Sequence, residues 1–195
     1  MRINVLKPIA LLLAIFSTNP ATADINLVFG TYTTDKPTEV VRKFSPILRY
    51  LSQELEKRLG EPVKIKLKIA SDYDEGIADI VEGRVDFARF GPASYILAKA
   101  DQAGISILAM ETVKGQKTFM GVIAVHAQSD ITDISELNGR SFAFGNRLST
   151  IGRFLAQQQL LDAGISATDL VRFEYLERHD RVGTAVGHSC GAGHF

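Results

Sequence analysis

Apolar positions along this chain fall into blocks that switch between strand-like runs and helical spacing. Ile25–Gly30 (INLVFG) reads as a buried strand that ends in a glycine turn. Val40, Phe44, Ile47, Leu48, Leu51, Leu55 and Leu59 then recur at helical spacing, with Pro37 suited to the first position and Gly60 to the stop. Pro46 inside that stripe predicts a kink, or a restart with Ser45 as cap. Val63–Ala70 alternates apolar residues with lysine, as a half-exposed strand does. Asp72 caps a short helix to Glu82, Val85–Arg89 is a strand, Pro92–Ala103 a helix and Ile105–Val113 a strand. After the polar stretch Lys114–Lys117, read as a hinge, a second series follows. It comprises a strand Phe119–His126, a helical turn Ile134–Leu137, a strand Ser141–Phe144, a helix Thr150–Ala163 and a strand Val171–Leu176. Arg181–Val186 begins a further helix. Such alternation predicts an α/β fold, with sheets covered by helices and crossovers of one hand.

The first residues break the pattern. Arg2 and Lys7 precede an apolar run, Pro8–Phe16, too short to span a bilayer, and Ala21-Thr22-Ala23 supplies the small residues of a cleavage site. An export leader over 1–23 is therefore expected, with the remainder in a bacterial periplasm. Lysines and arginines number 22 against 22 acidic residues, so the chain is no polycation and nucleic acid is not an expected partner. One cysteine excludes an internal disulfide framework.

Turns that leave the carboxyl end of a strand and enter a helix are the places to look for chemistry in an open α/β sheet. The first is Phe144–Gly152. Ser149 can cap the following helix, leaving the N–H groups of Thr150, Ile151 and Gly152 without helical partners. Those donors, two hydroxyls and the helix dipole suit an oxyanion, and Gly152 leaves room for its approach. An ordinary capped helix is the alternative. The second is Phe87–Tyr95, where Pro92 opens a helix, Ser94 and Tyr95 offer hydroxyls, and Arg89 offers charge. Tyr32 after the first strand reads as a rim aromatic or a turn residue, and His179 stands at another strand end. No G-x-S-x-G, H-E-x-x-H or G-x-x-x-x-G-K-[ST] occurs, and Ser149 has no base evident in the sequence. No catalytic residue, metal or cofactor is therefore expected.

Phe29-Gly30-Thr31-Tyr32, Pro46 with Leu51, Val85–Ala88, Gly91–Tyr95, Asp133–Gly139, Ser149–Gly152 and Tyr175–Asp180 together, in this order, resemble one family. It is the phosphate/phosphite/phosphonate-binding components of ABC transporters, within the type 2 periplasmic solute-binding proteins. The likeness spans Asp24 to about Val186. It implies two lobes, each a mixed sheet flanked by helices, over 24–115 and 116–186, with a small oxyanion held between them and passed to a membrane permease. The resemblance assigns the anion to Ser149, Thr150 and the amides of Ile151 and Gly152. Its flanking tyrosines correspond to Tyr32 and Tyr95, and its histidine to His179. Ile151 stands where the family usually has a third hydroxyl, a loss of about 1.5–3 kcal/mol if that ligand oxygen stays unsatisfied.

Family members continue beyond the point where this alternation stops. Residues 187–195 hold three Gly, His188, His194 and the lone Cys190 without apolar periodicity. The expectation is a truncated or frame-shifted product with an incomplete second lobe and an aberrant tail, rather than a metal-binding tail. A sensory module that reports its ligand to a membrane kinase is the alternative to transport.

Overall fold

The computed structural model describes residues 24–112, 114–118 and 120–188. The expected leader and the tail from Ser189 onward lie outside the described residues, as do Val113 and Phe119. Among the described residues, no helix is long and apolar enough to cross a membrane.

β1 (Ile25–Tyr32) is the middle of a three-stranded sheet, between β2 (Val63–Ala70) and β3 (Phe87–Ala88). It pairs in parallel with β2 from Ile25↔Val63 to Tyr32↔Ala70, and with β3 at Phe29↔Phe87 and Gly30↔Ala88. The sheet approaches closely at Gly30, where a Cβ would stand 3.0 Å from both Val85 methyls. α1 (Pro37–Leu59) lays Val40, Phe44 and Leu48 on Phe29, Ile65, Leu67, Ile69 and Phe87. It stops at Gly60, whose φ of 72° lets its N–H reach the Glu56 carbonyl at 2.9 Å. The helix runs unbroken through Pro46 rather than restarting at Ser45, and Pro46 is exposed, so its ring need not fit against the sheet. α2 (Tyr73–Val81) starts as expected on Asp72, whose carboxylate accepts the Glu75 N–H at 2.8 Å. α3 (Pro92–Asp101) follows β3.

On the edge strand β2, Lys68 bonds the buried Asp79 carboxylate at 2.6 Å, and Arg84 reaches the same oxygen at 2.5 Å. Burial raises the Asp79 pKa, but those two cations outweigh it and hold the carboxyl below its usual range.

A second sheet pairs β4 (Ser141–Phe144) in parallel with β5 (Arg172–Tyr175). Its core is Leu137, Phe144, Leu160, Ile165 and Leu170. Leu137 arrives on a 3-10 turn, Ile134–Leu137, fixed by a capping box between Asp133 and Glu136. The segment after β4 opens with a π-helical stretch, Thr150–Leu155, and continues as α4 (Ala156–Asp162); α5 (His179–His188) closes the described chain. The helix thus includes Gly187 and His188, the first two residues of the expected tail.

Two expected strands are absent. The described residues of Ile105–Val113 and Phe119–His126 form no strand, and Leu108 and Met120 are 81% and 90% exposed. β3 bonds only β1, at two residues, and no described strand lies on its other side. A strand is a hydrogen-bonded pair, and an apolar run records a capacity for burial without supplying the partner.

Candidate functional site

Every strand in the structure feeds a turn into a helix, and these turns meet around one cleft of about 530 Å³. Its walls include Thr31 and Tyr32 at the end of β1, Thr34 and Asp35 after it, Tyr73 after β2, Arg89, Gly91 and Pro92 after β3, Ser149, Thr150 and Ile151 after β4, and His179 after β5. Arg42 and Lys43 of α1 join them.

Tyr32 is buried rather than at the rim, at 2% exposure. Its ring stacks on Tyr73 at 3.9 Å between centroids and lies 5.6 Å from Phe90. Its hydroxyl accepts the Gly91 N–H at 2.9 Å and shares a hydrogen bond of 3.0 Å with Ser94 Oγ. Tyr95 is not on the cleft wall; one residue along a helix turns a side chain about 100°, and it is the buried Ser94 that faces inward to Tyr32.

The turn after β4 is built from its own polar groups. Asn146 is buried, accepts the Leu148 N–H at 2.7 Å and donates to Glu177. Ser149 is 3% exposed, and its Oγ accepts the Gly152 N–H at 3.0 Å. Its carbonyl accepts from both Arg153 and Phe154, at 3.1 and 3.2 Å, which produces the π-helical opening. Gly152 lies behind the wall rather than on it. A Cβ there would stand 3.1 Å from the Gly145 Cα and 3.2 Å from His179 Cε1, so a side chain would press on β4 and the His179 ring where glycine leaves room. The N–H groups of Thr150 and Ile151 have no acceptor among the described residues.

Thr150 Oγ1 accepts the Ala93 N–H at 3.0 Å, so the start of α3 touches the start of the π-helical stretch. His179 donates its backbone N–H to the Thr34 carbonyl at 3.1 Å, tying the second sheet's last turn to the first sheet's first turn. The expected site residues Tyr32, Ser149, Thr150, Ile151 and His179 are therefore brought together, while Tyr95 and Gly152 stand outside the cleft wall.

Tyr73 was not singled out by the sequence, although it follows Asp72 in the same kind of strand-to-helix turn. Burial pushes its pKa up to about 12, against a smaller opposing influence from the neighbouring Ser149. The fold therefore holds this proton in a range where the unfolded chain releases it, from about 10 upward. In that window the folded state binds more protons, so stability falls as pH rises. Urea unfolding at about pH 9 and about pH 12 should show an extra loss on the order of 2 kcal/mol relative to Tyr73→Phe. Equal losses in the two chains would mean that Tyr73 is not desolvated as described.

Comparison with known proteins gives one family match, over residues 29–189, to the family described as the ABC transporter, phosphonate, periplasmic substrate-binding protein. XAC2383 from Xanthomonas citri, solved with a chloride ion, is 22% identical with a TM-score of 0.60, over 83% of this chain and 60% of that one. PhnD1 from Prochlorococcus marinus (MIT 9301), solved with methylphosphonate, is 19% identical with a TM-score of 0.57, over 84% of this chain and 60% of that one. A binding-protein component of an ABC phosphonate transporter from Pseudomonas aeruginosa is 18% identical with a TM-score of 0.64, over 85% of this chain and 54% of that one. At these identities the likeness is one of fold, a mixed α/β periplasmic-binding-protein architecture. The chain spans 54–60% of the length of these three structures.

Proposed function

Since the chain belongs to the periplasmic substrate-binding family of ABC phosphonate transporters, we propose that its cleft captures a small oxyanion of the phosphonate, phosphite or phosphate type and presents it to a membrane permease. The family is one of binding proteins, not enzymes, and no turnover enters the mechanism. Residues 24–115 and 116–186 act as two lobes that hold the solute between them, outside the cytoplasm.

The observation that carries this reading is the pair of N–H groups at Thr150 and Ile151 that find no acceptor among the described residues, opening a helix beside a cleft. Both donors and the helix dipole favour negative charge there. The Thr150 hydroxyl and the Ala93 N–H, which bond each other, are each able to turn to a ligand oxygen instead. The Ser149 hydroxyl accepts the Gly152 N–H and lines the cleft, so it holds the turn in shape while facing the solute. Closing water out of the cleft strengthens each of these contacts. Ile151 contributes an amide and no hydroxyl.

Calorimetric titration of the full chain with methylphosphonate, phosphite and phosphate tests the reading. At least one should bind, and Ser149→Ala combined with Thr150→Ala should weaken it by about tenfold or more, as loss of hydrogen bonds to a charged group requires. Unaltered affinity in the double variant would place the anion elsewhere, and silence of the unmodified chain toward all three would overturn the function.

A further inference from the structure

The same cleft carries a second place for negative charge, which the capture of an oxyanion by the Ser149–Ile151 turn leaves unused. Arg89 leaves the end of β3, anchored by its N–H to the Gly30 carbonyl at 2.9 Å, and its side chain is only 33% exposed. Its guanidinium grips the Glu111 carboxylate with two bonds of 3.1 and 3.0 Å, the fork geometry that arginine makes with a carboxylate. Glu111 comes from the irregular segment after α3 and is 53% exposed. Lys43 of α1 lines the same cleft, has no ion-pair partner among the described residues, and adds to the field that keeps the Glu111 carboxyl below its usual range after the Arg89 hydrogen bonds. Tyr73 lines the cleft together with Arg89 and Ser149.

Building on the oxyanion reading above, we propose that the cleft takes a phosphonate that also carries a carboxylate. Its phosphonate head lies on the Thr150 and Ile151 amides and its carboxylate on Arg89 and Lys43, exchanging with the Glu111 carboxylate that Arg89 grips. Exchange is easy because Glu111 is tethered to a segment without regular structure and returns to water when displaced. Arg89 keeps a carboxylate partner in both states, so its charge is never left bare beside the buried tyrosines.

Phosphonoacetate and methylphosphonate are the probes, titrated into the full chain by calorimetry. Phosphonoacetate should bind about tenfold more tightly, the worth of one forked, charge-assisted contact. Arg89→Gln should weaken phosphonoacetate by about tenfold and methylphosphonate by only about twofold, closing the gap. Glu111→Gln, which removes the competitor, should tighten phosphonoacetate about threefold or more and leave the preference wider. Ser149→Ala with Thr150→Ala should weaken both probes alike. Circular dichroism checks each fold. If Arg89→Gln misfolds, Arg89→Lys keeps the charge without the fork and should lose about threefold or more of the preference. Binding of methylphosphonate with no preference for phosphonoacetate, or an Arg89 variant that weakens both probes equally, overturns this inference alone. Binding of neither probe overturns this inference, and silence toward phosphite and phosphate as well overturns the oxyanion reading with it.

Discussion

Truncating Phe144 to alanine should remove about 3–5 kcal/mol of stability and unfold the β4–β5 half before the β1–β3 sheet. The ring is 5% exposed and meets Phe142 at 4.6 Å, Tyr175 at 5.3 Å and Phe173 at 6.0 Å between centroids. Those contacts surround one of the five buried members of this core among the described residues, behind a sheet of two strands. Two strands alone are marginal in water, so this half depends on the packing behind them. Phe144 also sits where the site begins. Its carbonyl accepts the Leu176 N–H at 3.0 Å, and the next residue, Gly145, donates to the Gly152 carbonyl at 2.8 Å. Losing the ring therefore loosens the Ser149 turn and the approach to His179 together. Hydrogen exchange should accelerate at Phe142–Phe144 and Arg172–Tyr175 well before Phe29–Thr31, and Phe144→Leu should cost less than half as much. A loss below about 1 kcal/mol in Phe144→Ala would show that the ring does not hold this half together.

Local chemistry made the first sheet readable. β2 matches the expected strand at both ends, and α2 starts on the expected Asp72 cap, because alternation, capping and glycine stops are decided within a few residues. Ser141–Phe144 is likewise the strand expected. The failures share a cause of another kind. Ile105–Val113 and Phe119–His126 have the composition of strands, yet pairing is a property of two segments, and the second segment is not encoded in the first. The π-helical start of Thr150–Leu155 has the same apolar spacing as an α-helix over so short a span. What decides it is the Ser149 carbonyl serving two N–H groups.

The candidate site divides in the same way. Ser149 and Thr150 were legible because a hydroxyl pair before an apolar helix, after a strand, has a local meaning. Tyr95 was carried over from the family's tyrosine, and the helix phase that turns Ser94 inward instead depends on how α3 sits against Tyr32. Tyr73 was legible in principle, since it stands in a strand-to-helix turn of the same kind as the two inspected. Arg89 was visible as a charge near the second turn, but the fork it makes with Glu111 crosses 22 residues of chain with no pattern to announce it.

No motif flags Gly76, yet replacing it should distort the cleft more than any change on the cleft's own polar rim. Gly76 is buried in α2, and a Cβ added there would stand 2.8 Å from Tyr32 Cδ1 and 3.2 Å from Tyr32 Cβ. Tyr32 has nowhere to retreat. Its ring is stacked on Tyr73, its hydroxyl is held by Gly91 and Ser94, and its backbone is a strand residue paired with Ala70. Alanine would gain about 1 kcal/mol of helix propensity over glycine and so partly offset the clash; valine gains less and adds two methyl groups. Gly76→Val should therefore cost about 3 kcal/mol through overpacking. Either α2 lifts from β1 or the Tyr32 ring leaves its stack, and each outcome moves Tyr73 away from Ser149. Binding of methylphosphonate by the folded fraction should fall with it, although no solute contact has been removed. The paired variant Gly76→Val with Tyr32→Ala makes room for the new methyls and should cost less than the sum of the two single changes, as coupled neighbours do. Strict additivity would mean that the methyls meet something other than the Tyr32 ring.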